Sequence, residues 1–233
     1  MHTVRIKARR ILPILGLVGF ACSADPSISR GSPGSSSVTI NNYSFETPSL
    51  PQNGSFQYGP TNAGWTFTPV GSGNGGSGVA TPQINPSASF GGYTPPDGVQ
   101  YGYLQRVGSI SQTLTFPSTG TYVLSLYLAG RPYNENVDFP NDGNQDVGGY
   151  LDGNSIFYQA TTTNQPFTLY TADFNATAGP HVLSLAGLLL PNDETALVDD
   201  VTITAVPEPE ILGVLGIAGI GLLGRRRRQR TSY

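Results

Sequence analysis

Two runs of alternating residues constrain this chain more than any other feature. Ile110, Gln112, Leu114 and Phe116 set one face against Ser111, Thr113 and Thr115. After a Pro117-Ser118-Thr119-Gly120 turn, Tyr122, Leu124, Leu126 and Leu128 face one side, and Val123, Ser125, Tyr127 and Ala129 the other. A period of two is the pattern of a half-buried strand. Shorter strand candidates lie at 38–45, 64–68, 99–104, 149–151, 155–158, 167–174, 181–188 and 196–205. Asp152-Gly153 and Ala178-Gly179-Pro180 read as turns, and 71–78 as a Gly/Ser loop. With no amphipathic helix between them, these segments predict an all-β, two-sheet antiparallel β-sandwich over 38–205.

Composition narrows the alternatives. The 233 residues include 30 Gly and 19 Pro but no Gly-x-y period, which excludes a collagen-like chain. Only 12% are charged, too few for a coiled coil. Twelve Tyr and ten Phe give a core enough to bury, against disorder.

Charge is unevenly spread. Four of the 12 basic residues lie in the first ten positions and five in the last nine. From Asp25 to Val206 there are 13 carboxylates against Arg30, Arg106 and Arg131, leaving that stretch near −10. Such a body lacks the cations to neutralise phosphate, so no nucleic-acid partner is expected. The basic ends have another use. Residues 1–24 read as a signal peptide: a basic start, an apolar run from Ile11 to Ala21 that predicts a signal helix, and small residues near Ser23 and Ala24 for signal peptidase. Residues 25–37 form a flexible Ser/Gly/Pro lead-in.

The last segment, 206–233, joins three parts. Pro207-Glu208-Pro209 precedes an apolar run, 211–224, which precedes Arg225, Arg226, Arg227 and Arg228. Fourteen helical residues reach about 21 Å, short of the ~30 Å hydrocarbon core, and snorkelling arginines lengthen that span. The order resembles the PEP-CTERM sorting signal of Gram-negative bacteria. The resemblance implies a C-terminal hydrophobic helix inserted transiently in the inner membrane, and cleavage by an exosortase. It also implies export to the cell surface or extracellular matrix, alongside exopolysaccharide production.

The body carries a second resemblance. Asn42 to Glu46, then Gly64-Trp65-Thr66, then 111–114 with 120–126 as a central hairpin, and the closing Ala196 to Ile203 are similar to galactose-binding-like jelly rolls and carbohydrate-binding modules. In that family, carboxylates equivalent to Glu46, Asp199 and Asp200 hold a structural Ca²⁺, which suits a hard cation. Strand parity groups Asp199 with Val201 and Ile203, pointing inward, and Asp200 with Thr202, pointing outward. Asp142, Asn144 and Asp146 have calcium-loop spacing, but Val147 and Gly153 stand where glycine and a bidentate glutamate belong, so a solvated loop is the expectation. Arg131, Tyr133, Asn134 and Asn136 could line a sugar site at one end of the sandwich. Trp65 is read as core.

Catalysis finds little support in the residues. His181 is the one histidine outside the signal, no Gly-x-Ser-x-Gly elbow exists, and zinc lacks ligands. The expectation is therefore a non-enzymatic exported protein that binds polysaccharide. A purely structural matrix protein and a polysaccharide hydrolase stand as alternatives.

Overall fold

The computed structural model describes residues 36–68, 71, 75–82, 90, 92–133, 142–190 and 192–207. The signal segment, most of the sorting tail, Asn134 and Asn136 lie outside the described residues, as do Glu208, Pro209 and Arg225 to Arg228. Among the described residues no helix is long and apolar enough to cross a membrane.

The described chain is all-β, in two antiparallel sheets. The strands are β1 (Ser37–Val38), β2 (Phe56–Tyr58), β3 (Thr66–Phe67), β4 (Gly75–Ala80), β5 (Tyr101–Arg106) and β6 (Ser109–Phe116). They continue with β7 (Gly120–Gly130), β8 (Asp146–Leu151), β9 (Asn154–Ala160), β10 (Thr168–Ala176), β11 (Gly179–Gly187) and β12 (Thr195–Ala205). The larger sheet runs β10-β7-β12-β5-β4-β2, with β1 paired to β12. The smaller runs β3-β6-β11-β8-β9.

Alternation explains the core. Ile110, Leu114 and Phe116 from β6 and Tyr122, Leu124, Leu126 and Leu128 from β7 are all buried in one cluster between the sheets. The two strands are not the hairpin partners their adjacency suggested: β6 pairs β11, and β7 pairs β10 and β12. Both have a full apolar face, so each serves its own sheet and they meet across the core. The Phe116 and Tyr122 rings touch edge-on there, with centroids 4.8 Å apart. Trp65 is core as expected: it stacks on Phe45 at 5.6 Å, and its indole N–H donates to the Asn42 carbonyl.

Two further segments depart from the sequence reading. The 38–45 run forms only the short β1 before a turn, while the glycine-rich 71–78 segment supplies most of β4. Glycine weakens a strand unless another group must come close. At Gly78 that group is present, since a Cβ would overlap the Gln57 carbonyl oxygen and the Tyr103 hydroxyl. Strand β2 is only three residues long and reaches the sheet through that contact with β4.

On the smaller sheet, His181 clips the β8–β9 turn to β11. Its Nδ1 lies 2.5 Å from Asp152 Oδ2, and its Nε2 lies 3.0 Å from the Thr177 carbonyl oxygen. Asp152 Oδ1 also accepts the Val182 N–H. The Asp152 hydrogen bond holds the imidazole above its usual range. Asp152 is held below the carboxylate range by the Val182 amide first and His181 second. With Asp152 at Nδ1 and the Thr177 carbonyl at Nε2, the ring is clamped in surroundings that favour its protonated form.

Two outcomes follow from these contacts. Gly78→Ala should lower stability by about 1–3 kcal/mol in denaturant unfolding, from forced overpacking; an unchanged midpoint would show that β2 is not seated as described. The histidine contribution is complete below the unfolded imidazole pKa of ~6.5 and is lost as pH rises through the raised folded value. The aspartate contribution is present above its unfolded value and is lost as pH falls through the depressed folded one. The melting-temperature difference between the natural chain and His181→Asn should therefore be largest near pH 5–6 and shrink in alkaline buffer. A difference that grows with pH would rule out the cationic clip.

Candidate functional site

The outer face of the larger sheet, away from the main core, carries a second buried cluster. Tyr101 and Tyr103 from β5, Leu197 from β12, Ala129 from β7 and Ala80 from β4 are fully covered. Phe90, Tyr58, Tyr93 and Phe167 pack over them. Alternation accounts for the arrangement: Gly102 and Leu104 face inward, so Tyr101, Tyr103 and Gln105 share the outer side. An outer face this apolar would be an exposed patch if uncovered, and here it is roofed by aromatic rings.

Asp199 sits on this face, and a β-bulge puts it there. Between Asp199 and Thr202 strand β12 advances three residues while β7 advances two, from Tyr127 to Ser125. One extra residue reverses the parity. Val198 and Val201 both reach the main core, and Asp199 stays on the side of Leu197. Asp200 absorbs the extra residue with φ 47, a conformation that aspartate tolerates better than most residues. The inward orientation expected for Asp199 alongside Val201 and Ile203 is therefore corrected. The residue is buried, but under a loop rather than between the sheets.

That loop is 97–100. The backbone N–H of Asp97 donates to Asp199 Oδ2 at 3.0 Å, and that of Asp200 to Oδ1 at 2.8 Å. Glu46 grips the same loop, its Oε1 accepting the N–H groups of Val99 and Gln100. Gly98, at φ 68, lies so close to Glu46 that a Cβ would overlap the carboxylate. Asp199 has no exposed surface. Burial pushes its pKa up to about 8, against the pull of the two amides, and the neighbouring charges of Asp200 and Asp97 add to the rise. At neutral pH this carboxyl holds its proton. Burial also raises Asp200, with Asp97 second. Tyr43 bonds Asp97 and is raised by it.

Glu46, Asp199 and Asp200, expected to share a calcium ion, are capped by backbone amides or spread around the bulge. Among the described residues no group of three His, Cys, Asp or Glu side chains is arranged to hold a metal. The Asp142 to Asp146 segment, expected to be a solvated loop, is enclosed at Asp142. Asp142 is buried beside Arg131, Asn144 accepts from the Thr163 amide, and Asp146 begins β8.

The sugar-site residues are divided. Arg131 is 4% exposed, forms an ion pair with Asp193 at 2.7 Å, and lies near Asp142 at 3.8 Å. It faces the aromatic cluster, not solvent. Tyr133 is exposed. Sequence reasoning missed the site's main components, Tyr101, Tyr103, Phe90 and Phe167. The alternation of tyrosines in 99–104 was their available signal.

The sequence profile of the HpiC1-like family, described as HpiC1 cyclase, matches residues 36–185. No curated protein matches the chain. Among solved structures, the Stig cyclase Fisc from Fischerella sp. TAU, in complex with (3Z)-3-(1-methyl-2-pyrrolidinylidene)-3H-indole, shares 18% identity at a TM-score of 0.54, over 75% of this chain and 100% of that one. A cyclase from Fischerella sp. TAU in complex with 4-(1H-Indol-3-yl)butan-2-one shares 20% identity at 0.53, over 75% and 99%. At such identities the likeness shows a shared fold. A family 35 carbohydrate-binding module from Clostridium thermocellum reaches a TM-score of only 0.37 at 14% identity, over 64% and 95%, and carries no argument for sugar binding. The family match overturns the expectation of a non-enzymatic polysaccharide binder. The chain belongs to the HpiC1-like cyclase family.

Proposed function

We propose that the chain is a cyclase that closes a ring in a planar, largely apolar aromatic substrate, with Asp199 as the proton donor. The observation that carries this reading is a carboxyl kept neutral at pH 7 on a face built of Tyr101, Tyr103 and Leu197. A neutral acid in an apolar site is poised for general acid catalysis. The cyclase family and the indole compounds held by the two Fischerella structures support the substrate class.

The chemistry balances without a co-reactant. The Asp199 O–H bond breaks as its proton joins an electron-rich carbon or nitrogen of the substrate. A π bond elsewhere in the same molecule attacks the resulting cation, forming the ring. A proton lost from the cyclised cation returns to the carboxylate. The product is an isomer of the substrate. Asp97 and Asp200 hold the acid through their N–H groups, and the roofing aromatics exclude water from the cation.

The first ten residues and the Pro207-Glu208-Pro209 tail support export of this cyclase through the inner membrane, with exosortase cutting near Pro207. Intact-mass analysis of the cell-surface form should lack residues 211–233; their presence there would remove the sorting reading.

The catalytic proposal is tested with indole-bearing alkenes, following equal-mass products of altered retention. Asp199→Asn should cut turnover by about 10²-fold or more, the usual share of a general acid, while circular dichroism stays unchanged. Turnover of the natural chain should fall as pH rises through about 8, where the acid form is lost. Full activity of Asp199→Asn would refute the assignment.

A further inference from the structure

Three Asn-x-Ser/Thr triplets occur in the chain: Asn42-Tyr43-Ser44, Asn53-Gly54-Ser55 and Asn175-Ala176-Thr177. In an exported chain this spacing marks an asparagine to which an oligosaccharide can be joined. The structure separates the three. Asn42 is spent inside the fold, where its side-chain amide donates to the carbonyls of Thr47 and Ala63 and accepts the Thr47 N–H. Asn53 sits in an exposed turn, and Pro51 stands two places before it. Asn175 alone of the three has an acid at that place, Asp173. A carboxylate there gives a transferase a charge to pair with an arginine.

The geometry at Asn175 suits a bulky attachment. Phe174 and Ala176 of β10 point into the core, so Asp173 and Asn175 share its outward side. Asp173, Asn175 and Thr177 are all exposed, and β10 is an edge strand of the larger sheet. Asn175 Oδ1 accepts from the Thr121 hydroxyl at 2.9 Å, which leaves Nδ2, the atom that takes a sugar, at the other end of the amide. A hollow of about 300 Å³ beside it, lined by Thr119, Gly120, Thr121, Ala176 and Thr177, leaves room for the first sugar. Asn175 pairs with Thr121, and Asp199 with Tyr127, six residues along β7. That is about 20 Å of strand, so the attachment point lies clear of the proposed acid.

We propose that Asn175 is an acceptor for N-linked glycosylation, modified by a membrane transferase that reads Asp173-Phe174-Asn175-Ala176-Thr177. The modification rests on the export reading given above; it does not depend on the cyclase chemistry. The co-substrate is an oligosaccharide carried on a polyprenyl diphosphate. Asn175 Nδ2 attacks the anomeric carbon and forms the carbon–nitrogen bond. The bond from that carbon to the diphosphate oxygen breaks, and the lipid diphosphate leaves with the electron pair. One Nδ2 proton passes to solvent, and nothing is oxidised or reduced.

The test expresses the full chain in a Gram-negative host that carries a single-subunit oligosaccharide transferase and a lipid-linked oligosaccharide of known mass. The form that lacks residues 1–24 should gain that mass once, and peptide fragmentation should place it on Asn175. Asn175→Gln should remove the added mass, and Asn53→Gln should leave it in place. A second assay mixes the purified full chain with the transferase and the lipid-linked oligosaccharide in detergent, where no export is needed. There Asp173→Asn should slow transfer by at least about tenfold, the loss of one charge-assisted contact. An exported chain of unmodified mass, or a glycan that persists in Asn175→Gln, would overturn the site. Equal transfer onto Asp173→Asn would overturn the five-residue recognition. A chain that keeps residues 1–24 removes the export reading instead, and the site is then decided in detergent, where no transfer onto the natural chain overturns it.

Discussion

Asp199 is closed off from water beneath the 97–100 loop, and the proposed site is organised around that burial. A lone carboxylate in such a place is costly, so the group keeps its proton and two backbone amides hold its oxygens. The loop that supplies the Asp97 amide is fixed at its other end by Glu46, which takes the Val99 and Gln100 amides. Gln100 in turn donates to the carbonyls of Phe45 and Pro48. The start of the domain, the loop and the last strand are thus tied together by carboxylate–amide contacts.

The scaffold beneath is ordinary sandwich physics. Alternating residues of β6 and β7 fill the space between the sheets, and β12 lies between β7 and β5 in the larger sheet. A central strand cannot shift without disturbing both neighbours, so a bulge in β12 is held firmly in place. On β7 Tyr127 lies directly opposite Asp199, and on β5 Tyr103 lies opposite Leu197, two residues before it. This is the support a reacting group needs, since sites on strands are better positioned than sites on free loops.

Much of the sandwich was legible because side-chain period reports directly on burial. The strands over 110–129 and 196–205 were found for that reason, and the first strand does lie against the last. What failed were features set by pairing rather than pattern. β6 and β7 look like a hairpin but belong to different sheets, and Gly75 to Gly78 look like a loop but pair with β5. The site was lost through one residue. Strict alternation sends Asp199 inward with Val201, and only the bulge, marked by the positive φ at Asp200, sends it to the aromatic face. The aromatic roof was equally hidden, since Phe167 is far in sequence from the tyrosines it covers and Phe90 belongs to no strand. Without an acid among aromatics in view, the residues pointed to binding rather than to chemistry.

The central claim is that Asp199 is a neutral acid at physiological pH. The most direct measurement is a carbon-detected NMR titration of the natural chain with ¹³C-labelled aspartate carboxyls, the Asp199 resonance assigned by Asp199→Asn. The account predicts an apparent pKa of about 8 for that carboxyl. A midpoint near ~3.9, that of an ordinary aspartate, would contradict it.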